Sequence, residues 1–194
     1  GHDTDFRWDE FVDRVNNELI GTYANFVHRV MTLAHRLPSD GGNPLSSFFD
    51  PVNFQEYSSN VQQLMAEAIQ SMERQRFKEA LRSIMSIAQL GNSILQTAAP
   101  WEHLQDSDSD EARDSLSALA YSWSLCRGLA VALRPFIPFQ SDTLWAMLGE
   151  GDDIDTILWD EAFSNADLNW NPDRPSPLFE RLDLDDIMAT ELAL

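Results

Sequence analysis

From Trp8 to Leu33 the apolar side chains Trp8, Val12, Val15, Leu19, Phe26, Val30 and Leu33 recur at spacings of three, four and seven. That rhythm places them on one face of a helix and excludes a strand, whose apolar positions alternate. The spacing predicts one helix over Thr4 to Leu37, about 30 residues, long for a globular protein. Thr4 or Asp5 can cap its start, and Asp9 and Glu10 sit where the helix dipole favours negative charge. His35 and Arg36 fall in its last turn, and Pro38 stops it. Gly21 in its middle costs up to ~1 kcal/mol of helix propensity and is expected to mark a close helix–helix approach.

The same period returns three more times. A second helix is predicted from Asn53 to about Met72, with Phe54, Tyr57, Val61, Leu64, Met65, Ala68 and Ile69 on its core face. A third runs from Arg74 or Gln75 to Ala98, with Phe77, Leu81, Ile84, Met85, Ala88, Ile94 and Leu95 inward and Pro100 closing it. A fourth starts at Asp108 or Ser109 as cap and carries Leu116, Leu119, Trp123, Cys126, Ala130 and Leu133 before Pro135 and Pro138. The stretch from Pro38 to Pro51 and the acidic run Gln105 to Asp110 read as loops. A short fifth helix is expected near Ser141 to Leu148, then an irregular tail over 149–177 that packs across the bundle. A last amphipathic helix follows from Asp183 or Leu184. With no strand-period segment, the fold class is all-α, a bundle of four or five main helices. The bundle is expected over 3–182, with 183–194 as a terminal helix or tail, and Gly1 and His2 read as a cloning remnant.

Composition narrows the chemistry. The 194 residues hold 32 acidic and 13 basic side chains, a net charge of −19, and 43% are hydrophobic, which excludes wholesale disorder. Twelve of the basic residues are Arg, Lys78 is the one lysine, and Asp outnumbers Glu by 20 to 12. That balance resembles proteins of salt-accumulating archaea. In molar salt the Debye length is only ~3 Å, so surface carboxylates scarcely repel and net charge does not argue against nucleic-acid binding. No apolar run reaches the ~20 residues of a membrane span, and a cytoplasmic location is expected. One cysteine leaves no intramolecular disulfide and no cysteine-based zinc site. Cys126 itself falls on a core stripe, as a buried thiol does.

No catalytic constellation is present. The chain has no phosphate-binding glycine loop with its lysine and no dinucleotide fingerprint. Its histidines, 2, 28, 35 and 103, lack the i,i+4 pairing of a helical zinc site, and Asp152, Asp153 and Asp155 read as a solvated acidic loop. Two features point to recognition. Asn25 and Arg29 share one helix face, an amide beside a guanidinium, able to make directional hydrogen bonds to base edges. By spacing alone they equally fit an ordinary polar face. Trp101, straight after the helix-ending Pro100, is placed to be either a stacking platform or a lid on the helix end.

These residues carry a resemblance. Val15-Asn16-Asn17-Glu18-Leu19 followed by Tyr23-Ala24-Asn25-Phe26-Val27-His28-Arg29 resembles the opening helix of the anticodon-binding domain of methionyl-tRNA synthetase, with Ala24 where that family has glycine. Leu90-Gly91-Asn92 and Ala99-Pro100-Trp101 are similar to its asparagine and Pro-Trp segment, although Ser93-Ile94 stands where a polar residue and tyrosine are usual. Arg134-Pro135-Phe136-Ile137-Pro138 and Pro177-Leu178-Phe179-Glu180-Arg181-Leu182 resemble two later elements. The resemblance implies a bundle that reads the CAU anticodon of methionine tRNA. Trp101 would stack on the first anticodon base, Asn25 and Arg29 would bond that base and its neighbour, and Pro100 would hold the tryptophan. His28 and Asn92, from the same motifs, join them as candidates. The family's two nucleotide-binding signatures are absent, so this segment is expected to have no catalytic residue and no activity alone. The parent ligase is expected to use ATP, Mg and Zn in a catalytic domain that would be this bundle's partner. Neither a membrane nor DNA is expected as a partner. The alternatives are the equivalent domain of another class I synthetase, of the Leu, Ile, Val or Cys type, or an acidic helical module that binds protein.

Overall fold

The computed structural model describes residues 5–39, 41–105, 109–164, 168–171 and 173–191. Six helices form the bundle, and no strand occurs among the described residues. The first, α1, is continuous but not uniform: Trp8–Arg14 is α-helical, Val15–Ala24 is π-helical and Asn25–Ala34 is α-helical again. It is followed by α2 (Gln55–Glu73), α3 (Phe77–Ala98), α4 (Asp110–Leu133), α5 (Pro138–Met147) and α6 (Leu184–Glu191).

The helix ends follow local chemistry more closely than the periodicity does. α1 starts at Trp8 on an extended Arg7 with no side-chain cap, so Asp5 does not cap it. Thr4 lies outside the described residues. The helix also stops earlier than expected, at Ala34, with His35 to Leu37 in a turn. Asp50 caps the 3₁₀ turn Pro51–Phe54 that leads into α2. Gln75, at φ 58°, breaks the chain between α2 and α3, which moves the start of α3 to Phe77. At the other end of α3, Ala99 takes the left-handed conformation (φ 45°, ψ 50°) before Pro100 opens a 3₁₀ turn, Pro100–Glu102. Ser109 caps α4 through Ala112 N–H, while Asp108 lies outside the described residues. Pro138 does not merely break α4. It is the first residue of α5, where its missing N–H costs nothing.

The centre of the bundle is α4, buried over nearly all its length between α3, α1 and α5. By length and composition this helix could cross a membrane, which corrects the sequence expectation, but 89% of its apolar window is buried inside the fold. It is a core helix. Trp123 and Trp145 are buried as expected, but Phe77 and Tyr57 are exposed, so the core faces of α2 and α3 are narrower than their periodicity suggests.

Gly21 is exposed, and a β-carbon there would meet only the Asn16 carbonyl of its own helix, so it marks no helix–helix approach. The close approaches lie elsewhere. A β-carbon on Gly91 would fall 2.3 Å from Phe26 Cζ, and one on Gly128 would fall 2.2 Å from Phe163 Cδ1. Phe26 is fully buried and has nowhere to yield. Gly91 therefore lets α1 and α3 close on one aromatic ring.

The tail crosses the bundle as expected and is fastened by polar contacts. Trp159 Nε1 donates to Val131 O at 3.2 Å. His35 reaches Met31 O (2.8 Å) and Asn171 O (3.0 Å), and its ring lies 4.4 Å from that of Trp170. Arg127 pairs with Glu150 at 3.0 Å with both side chains largely buried, and Asn169 donates to the second Glu150 oxygen. Arg134 forks onto Asp155 at 2.9 and 3.1 Å and also reaches Pro138 O. The hydrogen bond from Arg134 holds the Asp155 carboxyl below the usual carboxylate range. The Arg134–Pro138 motif is thus a clamp between α4, α5 and the acidic turn. Within that turn Asp153 caps Asp155 N–H, and no group of three metal-binding side chains occurs among the described residues.

Two predictions follow from this packing. Gly91→Ala should cost about 1–3 kcal/mol by overpacking against Phe26, and more than Gly21→Ala, read from urea denaturation. Burial pushes the Cys126 thiol well up, so a thiol reagent at pH 8 should leave it unmodified in the native state and label it stoichiometrically in denaturant.

Candidate nucleic-acid interface

The seating of Phe26 on Gly91 fixes how the motifs meet. Asn25 precedes Phe26, Asn92 follows Gly91, and the two helices bring Arg29 and Asn92 together across 63 residues of sequence. Asn92 Nδ2 donates to Thr22 O and to Ala88 O, both at 3.1 Å, so it ties the π segment of α1 to α3. With its amide nitrogen so engaged, Asn92 Oδ1 faces Arg29 and accepts from Nη1 at 3.4 Å, a long contact. Asn92, one of the sequence candidates, is therefore an orienting residue for Arg29.

Trp101 is the second partner of the guanidinium. Arg29 Cζ lies 5.5 Å from the centre of the indole ring, within cation–π range. The indole is 37% exposed, so one part packs and the rest faces solvent. Its placement has a backbone cause: the left-handed Ala99 turns the chain sharply, and Pro100, buried, anchors the 3₁₀ turn that carries Trp101 outward. Asn25 and His28 are exposed on the same helix. Of the sequence candidates, Arg29 thus meets both Trp101 and Asn92, Pro100 directly precedes Trp101, and Asn25 lies one turn before Arg29 on α1.

Asn25 and His28 also border an open pocket of about 190 Å³ between α1 and residues 177–179. Spacing along the sequence gave no sign of it, because its second wall comes from the far end of the chain. Behind it lies Tyr23, whose buried phenol is pushed well up by desolvation and by nearby Cys126, and whose hydroxyl has no partner among the described residues.

The arrangement offers an aromatic face, a fixed guanidinium and an exposed amide, a set that suits an unstacked base rather than bond-making chemistry. Asn92→Ala should destabilise the fold by about 1–2 kcal/mol, because the partly buried amide bond from α3 to Thr22 O is lost while both helical carbonyls keep their backbone donors. Arg29→Ala should cost less than about 1 kcal/mol, since its contacts here are one long bond and a partly solvated cation–π pair. Chemical denaturation of both variants checks the order.

Comparison with known proteins gives the family and the fold. A family model described as the anticodon binding domain of methionyl tRNA ligase matches residues 52–186, and one described as tRNA synthetases class I (M) matches residues 1–31. Methionine–tRNA ligase of Methanopyrus kandleri is 31% identical over 192 residues, covering 99% of this chain and 27% of the relative. That of Thermofilum pendens is 33% identical over 190 residues, covering 96% and 32%. That of Haloarcula marismortui is 28% identical, covering 96% and 24%. The chain thus spans about a quarter to a third of the length of these relatives. The fold of the apo Mycobacterium tuberculosis methionyl-tRNA synthetase superposes with a TM-score of 0.74 at 17% identity, over 94% of this chain and 36% of the other. Sequence and fold agree: the chain belongs to the family of anticodon-binding domains of methionyl-tRNA ligase.

Proposed function

We propose that this domain reads the CAU anticodon of methionine tRNA for a parent methionine–tRNA ligase. The observation that carries the reading is the half-exposed Trp101 ring with Arg29 held across it by Asn92. An anticodon base unstacked from its loop finds there an aromatic face and directional donors at its edge. Asn25, next to this face on α1, adds an amide that both donates and accepts. Pro100 and the left-handed Ala99 hold the platform, so little order has to be gained on binding.

The parent enzyme would supply the chemistry, using ATP, Mg, Zn and methionine in a catalytic domain docked to this bundle, in the cytoplasm. None of that chemistry is assigned to the residues of this segment. The other two readings, the domain of a different class I synthetase and an acidic protein-binding module, have no support in the methionine-specific family match.

The acidic surface shapes the energetics. With 13 basic against 32 acidic residues, few phosphates can be neutralised, and the halophile-like composition fits a working medium of high salt. Stacking and hydrogen bonds then carry most of the affinity. Binding of a CAU stem-loop in molar KCl tests both points. Trp101→Ala should weaken it by about 5- to 150-fold, the equivalent of ~1–3 kcal/mol of base stacking. The log–log salt slope should be shallow. Affinity indifferent both to Trp101→Ala and to a changed first base would remove this reading.

A further inference from the structure

The basic side chains of this acidic chain are not spread evenly. Between Glu73 and Arg82 stand four cations, Arg74, Arg76, Lys78 and Arg82, with two carboxylates, Glu73 and Glu79. The rest of the chain holds nine basic against 30 acidic residues, and Lys78 is its one lysine. All four cations are exposed, at the three-residue turn between α2 and α3 and on the first turns of α3. Arg76 meets Glu79 at 3.3 Å, with both side chains more than half exposed. Among the described residues Arg74, Lys78 and Arg82 form no ion pair. Phe77 stands between them, 54% exposed. Nothing in the Trp101 platform calls for this corner.

We propose that this corner holds the phosphate backbone of the tRNA's double-helical stem, well away from the anticodon and on the way to the parent's catalytic domain. The inference rests on the anticodon reading above and adds a second contact surface to it. Three observations carry it. The first is chemical. Cations with an exposed ring among them suit a nucleic-acid backbone, and in molar salt, where fields die within ~3 Å, only cations in direct contact with phosphates help binding. The second is direction. Phe26 lies on Gly91 and, further along both helices, Arg29 meets Trp101, so α1 and α3 run in the same sense. The starts of both helices therefore lie toward the end of the bundle away from Trp101. The synthetase family model matches residues 1–31, which places a parent's catalytic domain at the start of α1. A tRNA read at Trp101 and charged in that domain runs past the start of α3. The third is side. Lys78 precedes Asn92 by 14 residues, within roughly 40° of four whole turns, so it lies on the edge of α3 that meets Arg29. The corner and Trp101 are about 30 Å apart along α3, a length that helical RNA at roughly 3 Å per base pair covers in about ten pairs.

The test measures binding from about 0.5 to 3 M KCl for CAU hairpins with stems of about three and about ten base pairs, and for whole methionine tRNA. Wild type should bind the short hairpin with a shallow log–log slope, and the long hairpin and the tRNA with a slope steeper by about three. Arg74→Gln, Lys78→Gln and Arg82→Gln should each take about one unit from that extra slope. The triple variant should remove most of it, with binding of the short hairpin and its dependence on the first anticodon base unchanged. Arg174→Gln, at an exposed position in the tail, changes the net charge as much as each single variant and should leave every slope as it was. All four substituted positions are exposed, and thermal melts check that the triple variant is folded. A tRNA slope that the triple variant shares with wild type overturns the corner and leaves it as a face for an acidic protein. An equal loss on the short hairpin, or an equal effect of Arg174→Gln, overturns it in favour of the net charge alone. A wild type that binds none of these RNAs, or binds them whatever the anticodon, overturns the anticodon reading on which the corner rests.

Discussion

The contact on which the molecule depends is a phenyl ring lying on a glycine. Phe26 sits where any side chain on Gly91 would be, so α1 and α3 approach until their polar faces meet at the surface above. The meeting of Asn92 with Arg29 follows from that distance. Asn92 spans the gap to Thr22 O, its oxygen is left to face Arg29, and Arg29 in turn lies across Trp101. A bulkier residue at position 91 would push these groups apart even if each helix stayed intact. The site is thus rigid for the same reason that the core is close-packed: neither partner of the central contact can move alone.

Charge plays a different part from packing. Most carboxylates lie on the surface, and the ion pairs that matter are few and local. Arg127 with Glu150, over the Trp145 ring, is largely buried, so loss of either partner would strand a charge in the interior. Arg134 with Asp155 is more exposed but bidentate, a geometry that arginine supports and lysine does not. Both fasten the tail to α4.

The helices were legible in the sequence to within a few residues. The errors share a cause. Gly21 was expected to mark a helix contact because a glycine in a helix costs stability and calls for an explanation; the structure puts the contact at Gly91 and Gly128 instead. Phe77 and Tyr57 fit an inward stripe but lie in the first turns of their helices, where they stay exposed. The π-helical stretch of α1 left no mark in the apolar spacing, since the change lies only in which carbonyl each N–H meets. Asn92 and Pro177–Leu182 were visible as motifs, but the contact of the one with Arg29 and the place of the other beside a pocket were not.

By itself the sequence determined the all-α class, the order of the helices and, through its motifs, the family. These rest on neighbours three and four residues apart or on ordered local signatures, and both are properties of a linear text. Only the tertiary structure decided which polar groups meet. Arg29 finds Asn92 over 63 residues and Asn16 finds Leu182 over 166, and no spacing rule encodes such distances. They are set by which apolar faces can be buried together, and that is a property of the packed bundle as a whole.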